Sequence, residues 1–156
     1  MRGKQAKKRK IEPDAVFQST LVSKLINKVM LHGKRTLAER MVYKSFEQLK
    51  NTVKKDPLEV FEKAIENITP QIEVRPRRVG GVNYQVPVPV PEHRQVSLAL
   101  NWLVSGARSR RSREEFFVAI ADEISDAYKK SGFAYKKKED VQKMADANKA
   151  FAHFQW

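Results

Sequence analysis

Cysteine is absent from the sequence. Disulfides, thiolate catalysis and zinc–thiolate sites are thereby excluded, and a reducing compartment suits the chain. Long apolar runs are also missing: no stretch reaches the roughly 18 residues that a membrane-spanning helix needs. The N-terminus is basic but no hydrophobic segment follows at once, so no secretory signal is expected. Histidine is scarce, and His32, His93 and His153 lie far apart without metal-ligand spacing. Neither a GxxxxGK[ST] loop nor a GxGxxG turn occurs, and the Gly80-Gly81 pair is too little to cradle phosphate. The acidic pairs Glu62/Glu66 and Asp122/Asp126 have i,i+4 spacing and read as solvated helix faces. These absences argue against an enzyme and leave no cofactor implied. Acid is in short supply as well: 18 Asp and Glu stand against 31 Lys and Arg, a net charge of +13. That excess points to an anionic partner, either nucleic acid or an acidic membrane surface.

The positive charge is unevenly placed. Residues 1–10 (MRGKQAKKRK) hold Arg2, Lys4, Lys7, Lys8, Arg9 and Lys10 and no acid. Residues 1–13 therefore read as a basic arm, disordered alone and ordered on a polyanion through counterion release. A solubilising tail is the alternative. Residues 14–156 read as one helical domain carrying the binding surface.

Apolar spacing predicts a first helix over residues 16–31 on Leu21, Val22, Leu25, Ile26, Val29 and Met30, with Lys24 and Lys28 on its polar side. Gly33, ahead of Lys34 and Arg35, is its expected stop. Thr36 and Glu39 form a capping box for a second helix that buries Leu37, Met41, Val42, Phe46, Leu49 and Val53. Asp56, Pro57 and Glu59 have the types and spacing that start a third, with a stripe from Val60 to Ile68. Its polar face, Glu59, Glu62 and Glu66, would point away from a polyanion.

A fourth helix, over residues 93–108, runs out in Arg108, Arg110, Arg111 and Arg113. Basic residues complement a helix C-terminus, but four arginines exceed that need and suit bidentate phosphate binding. Ser112 and Glu115 form a further capping box before a stripe from Phe116 to Tyr128. Lys136, Lys137 and Lys138 make a basic knot beside Tyr135. A last helix follows on Val141, Met144, Ala145 and Asn148, with Lys143 on it. Phe151, Phe154 and Trp156 either dock on the core or stack on bases and sugars.

Between the third and fourth helices, residues 72–90 (IEVRPRRVGGVNYQVPVPV) read as a β-hairpin turning at Gly80 and Gly81. Proline in the second arm confines it to an edge or a two-stranded ribbon. Arms of seven residues reach roughly 23 Å, and an isolated hairpin is marginal, so its base should pack on helices. Arg75, Arg77 and Arg78 near the tip fit a probe into a groove, or an edge protected from sheet pairing. The whole is a mainly α, six-helix single domain with a protruding two-stranded hairpin. Non-enzymatic binding to a structured nucleic acid is the leading class. An architectural DNA-binding protein would bind duplex DNA and structured RNA alike. A protein adaptor would depend on Val86 and Val88 more than on Arg77 and Arg78.

Four blocks, in order and spacing, carry a resemblance: residues 19–35 (STLVSKLINKVMLHGKR), residues 77–87 (RRVGGVNYQVP), Trp102-Leu103-Val104 with Ala107-Arg108, and residues 136–156 (KKKEDVQKMADANKAFAHFQW). The chain resembles the bacterial seventh small-subunit ribosomal protein family. The resemblance implies six helices with a β-ribbon between the third and fourth. It implies primary binding to the 3′ major domain of small-subunit rRNA, nucleating assembly of the head. The ribbon would approach exit-site tRNA, the mRNA path and a platform protein, with head proteins as further neighbours. A monomer when free, in a cytoplasmic or chloroplast ribosome, follows from the same likeness. By the same resemblance the rRNA contacts fall on the basic arm, on Lys28, Lys34 and Arg35, on Arg108, Arg110, Arg111 and Arg113, and on Lys136, Lys137, Lys138 and Lys143. The ribbon contacts fall on Arg75, Arg77, Arg78, Gly80, Gly81, Asn83 and Tyr84. Phe17, the stretch 112–117 and Gln155 depart from the family's usual residues, affecting local contacts only.

Overall fold

Apolar stripes in this chain close around one helix, Phe116–Tyr128, in a computed structural model that describes residues 3, 10–110 and 115–154. The order is α1 (Thr20–Val29), α2 (Arg35–Val53), α3 (Pro57–Ile68), β1 (Ile72–Val79), β2 (Val82–Pro89), α4 (Glu92–Arg110), α5 (Phe116–Tyr128), α6 (Gly132–Ala147) and a terminal 3-10 helix (Lys149–Phe154). The expected count of six helices is therefore corrected: the described residues form seven, the seventh being that 3-10 helix. Its three-residue winding has no 3.6-residue apolar stripe to announce it in the sequence.

Helix α5 packs against α2, α3, α4 and α6. It contributes Ala119, Ile120, Ala121, Ile124 and Ala127 to the interior, against Phe46, Phe61, Leu49, Ile68, Leu100 and Leu103. Each such large side chain contributes about 1.5–3 kcal/mol by leaving water. Phe46 and Phe61 meet at 5.5 Å between ring centres, and Phe17 closes edge-on over Phe46 at 4.9 Å.

Helix α1 begins later than its periodicity predicts. The buried Asp14 carboxylate accepts from the Val16 and Phe17 N–H groups at 3.1 Å each, folding residues 14–17 into a turn. Ser19 then caps the helix, its hydroxyl oxygen accepting from the Leu21 N–H at 3.3 Å. The Thr36 capping box does not form. Lys34 takes the N-cap position of α2, and Glu39 instead accepts from Arg35 Nε at 2.8 Å. Leu37, expected in the core, is 48% exposed. Helix α3 has Pro57 in its first turn as expected, though Asp56 makes no side-chain capping bond. The box at Ser112 falls outside the described residues, and Glu115 occupies the N-cap of α5.

Strands β1 and β2 pair antiparallel from Ile72↔Pro89 to Val79↔Val82, a two-stranded ribbon as the prolines require. The loop is only Gly80 and Gly81, with φ of 56° and 87°. Two positive φ values are the mark of a type I′ turn, whose twist matches the strands. The base of the ribbon is buried at Val86 and, just beyond β2, at Val90, and β1 packs on α6.

Candidate nucleic-acid interface

Three grooves follow one another along the basic residues of α1, its flanking segments and the end of α4. Lys10 and Ile11 line the first with Asn27 and Arg35, beside the acids Glu12, Asp14 and Glu39. Ile11 continues into a second with Lys24, Lys28 and His93. A third, of about 280 Å³, lies between the ends of α1 and α4 and the start of α2, with Lys34 and Arg108 on its edge. Arg108 ties the two helix ends together, donating from Nη2 to the Lys28 and Val29 carbonyl oxygens at 3.3 and 3.5 Å. Two of the three acids lining the first groove are engaged. Asp14 accepts from the Tyr43 hydroxyl at 2.8 Å, and Glu39 pairs with Arg35. Burial and the bond to Asp14 push the Tyr43 hydroxyl up to about 12, so it stays a donor at neutral pH. Lys28 and Lys34 have no side-chain hydrogen bond or ion pair among the described residues.

Arg110, two residues beyond Arg108, is placed quite differently. Its guanidinium reaches inward to Asp126 at 2.5 Å and to Glu123 at 3.1 Å. Glu123 is fully buried, and its Oε1 accepts from the Ala134 N–H at 2.8 Å. Burial raises its carboxyl above the ordinary range, against the pull of that N–H and of Arg110. Gly106 makes room for the arrangement, since a Cβ there would lie 2.7 Å from Glu123 Cδ. Nothing in the sequence patterning singles out Glu123, which sits on the apolar stripe of α5.

Lys138 also works within the fold: its Nζ donates to the Asn67 carbonyl at 2.6 Å and lies over the Tyr135 ring at 5.7 Å. Lys136, Lys137 and Lys143 are exposed on α6, and the three grooves of the band contain none of the α6 lysines. Arg2, Lys4, Lys7, Lys8, Arg9, Arg111 and Arg113 lie outside the described residues.

The ribbon divides in two. At its base, Glu73 is only 8% exposed and pairs with Arg75 and with Arg94, whose Nε is at 2.8 Å. Burial alone would raise the Glu73 carboxyl, but Arg94 and Arg75 outweigh it and hold it below the ordinary range. Arg94, which sequence patterning does not mark, thus ties the ribbon to α4. At the tip, Arg77, Arg78, Gly80, Gly81 and Asn83 are exposed. Neither Arg77 nor Arg78 has an ion pair or hydrogen bond from its side chain among the described residues. Tyr84 stands between these zones. It packs on Phe151 and Phe154 at 5.1 and 5.2 Å between ring centres. Those two aromatics therefore dock on the ribbon; Trp156 lies outside the described residues.

The sequence is matched along nearly its whole length by known proteins. The sequence profile described as Ribosomal protein S7p/S5e covers residues 1–149. The chain belongs to the S7p/S5e family of ribosomal proteins. Similar chains named small ribosomal subunit protein uS7 include those of Pseudothermotoga lettingae, 54% identical, and Thermotoga maritima, 53% identical, each over the full length of both chains. That of Mycoplasmopsis synoviae is 51% identical over 99% of both. As an S7p/S5e member this chain is a structural, RNA-binding protein of the cytoplasmic small ribosomal subunit, with a part in assembling the subunit head, and is not an enzyme.

Proposed function

We propose that the band from Lys10 through Lys24, Lys28 and Lys34 to Arg108 is the primary contact with the 3′ major domain of small-subunit rRNA, and that the ribbon tip works separately near exit-site tRNA and mRNA. The observation that carries this reading is the succession of three grooves, the first two sharing Ile11 and Asn27, beside cations drawn from the arm, α1, the turn before α2 and the end of α4. Cations on one continuous face displace counterions together and fix the protein on folded RNA. Recognition then rests on the shape of an RNA junction, because the deep A-form major groove resists side-chain reading. The helical body is the rigid template, and restricting the junction prepares a surface for later head and platform proteins. The arm residues Arg2, Lys4, Lys7, Lys8, Arg9 and Lys10 extend the same contact, with Arg35, Arg111, Arg113, Lys136, Lys137 and Lys143 as additional phosphate partners. Arg110 and Lys138 serve through the fold. Arg77, Arg78, Gly80, Gly81 and Asn83 form the probing tip, carried by Arg75 and Tyr84 below it.

Binding to a folded fragment of the 3′ major domain, compared with scrambled RNA and duplex DNA across a salt series, tests the assignment. Selective binding that persists near physiological salt is expected. Removing residues 1–9 should weaken it and flatten the salt dependence by several phosphate contacts. Equal affinity for all three nucleic acids, collapsing together as salt rises, would reduce the chain to a generic polycation.

A further inference from the structure

The third groove of the basic band has a feature that phosphate binding leaves without use: its floor is apolar. Met30, Leu31, Leu37 and Met41 line it, with Phe116 at one end, and none of its lining residues is acidic. Leu31 and Leu37 are 51% and 48% exposed, an outlay of apolar surface that a basic face meant only for phosphates does not need. The groove is also structurally defined. Helix α1 ends before Leu31, and the chain turns through His32 and Gly33 at φ of 52° and 73°. Arg108 is held at the rim by two carbonyls of α1. A guanidinium fixed by its edge keeps its planar face available for stacking.

We propose that this groove seats one unstacked nucleobase of the rRNA. The base lies on the leucine and methionine floor against the Arg108 plane, with its flanking phosphates toward Lys34 and Lys28. The inference rests on the rRNA-binding role and deepens it, adding capture of a base to the pairing of charges. A nucleotide is apolar on its base faces and anionic on its backbone, which complements an apolar floor with a cationic rim. Sequence-specific RNA recognition works mainly on such splayed-out bases, held by stacking on side chains and arginine planes. Lys28 of the neighbouring groove is next in the chain to Val29 of this one, and Arg108 bonds the carbonyls of both, so the seat lies beside the interface already described.

The test uses the full chain and the 3′ major domain fragment, with 2-aminopurine placed in turn at its unpaired purines. One position should change its fluorescence when the wild-type chain binds. The double variant Leu31→Ala, Leu37→Ala should abolish that change and weaken binding about tenfold, the scale of one stacked base. Its salt dependence should stay as in the wild type, because no cation is removed. Leu37→Met keeps an apolar floor and should retain the signal. Lys34→Ala should retain it too, while lowering the salt slope by about one ion. A double variant that binds the fragment as tightly as a selective wild type would overturn the seat alone. A wild type without preference for the fragment over scrambled RNA would overturn both the seat and the binding role beneath it. In assembled small subunits, a photo-crosslinker at residue 37 that joins a subunit protein instead of RNA would overturn the seat and reassign the groove to protein docking.

Discussion

Arginines of the same chain end up in opposite situations at the end of α4 and at the tip of the ribbon. Arg110 lies inward against two α5 carboxylates, Glu123 and Asp126. Arg77 and Arg78 stand exposed on β1, opposite Tyr84 and Asn83 of β2. A run of arginine in a sequence is therefore not one surface. It is partitioned by whatever carboxylates the next element brings within reach. Where a buried acid waits, the guanidinium holds the fold. Where the neighbours are a glycine turn and a two-stranded ribbon, it is free for a partner.

The difference is broken most sharply at Glu123. Glu123→Ala leaves the Ala134 N–H without its acceptor and opens a void beside Gly106, costing about 2–4 kcal/mol. At this chain length that is a fall of about 10 °C in Tm, measurable by circular dichroism. Arg110→Ala should cost about 1–3 kcal/mol by leaving Glu123 without its counter-charge. An Arg110→Ala chain that melts like the wild type, yet binds RNA with one fewer ion in its salt slope, would return Arg110 to the phosphates.

A pH series sharpens the comparison within the acids. The Glu123 carboxyl is raised, so its favourable contribution is present below the ordinary carboxylate range and is lost as pH rises through its folded value. Glu73 is lowered, so its contribution is present above that range and is lost as pH falls through its folded value. Relative to the wild type, Glu123→Gln should therefore look better at pH 7 than at pH 4, and Glu73→Gln worse. Urea titrations at the two pH values read this directly, and like signs for both variants would refute the assignment.

The smallest effect belongs to the tip. Arg77→Ala and Arg78→Ala should change stability by no more than about 0.5 kcal/mol and show themselves in tRNA-dependent steps rather than in primary rRNA binding. A loss of several degrees in either Tm would mean that the tip arginines have structural partners after all.

Much of the architecture was legible because burial leaves a periodic trace. The stripes of α1, α3 and α5, Pro57 at a helix start, and prolines that admit only a two-stranded ribbon all follow from local rules. Local rules misled where another partner competed for the same side chain. Thr36 and Glu39 have capping-box spacing, but Glu39 has Arg35 one turn away. Asp14 belongs to no helical pattern, yet Tyr43, far along the chain, helps make it the anchor of a turn. Within the interface, the α1 and α4 cations were visible as charge, but no spacing rule shows that Arg108 and Arg110 part company. Glu123 was hidden by its own burial, since an acid on an apolar stripe has no signature until the arginine from another helix is found. The apolar floor at Leu31 and Leu37 was invisible for the converse reason: Leu37 fits a helical stripe and reads as interior, and Leu31 sits just past the stripe of α1.

The contact of Tyr84 with Phe151 and Phe154 sets an order of events during synthesis. Sixty residues separate Pro89, the end of the ribbon, from Lys149, the start of the segment that braces it. At a synthesis rate of about 5–20 residues per second, roughly 3–12 seconds pass between the two leaving the ribosome. Until α6 follows late in that interval, the ribbon has its turn, its strands and the Arg94 tie to α4 as its support. A nascent chain halted in the interval would carry much of the helical body with an unsteady probe.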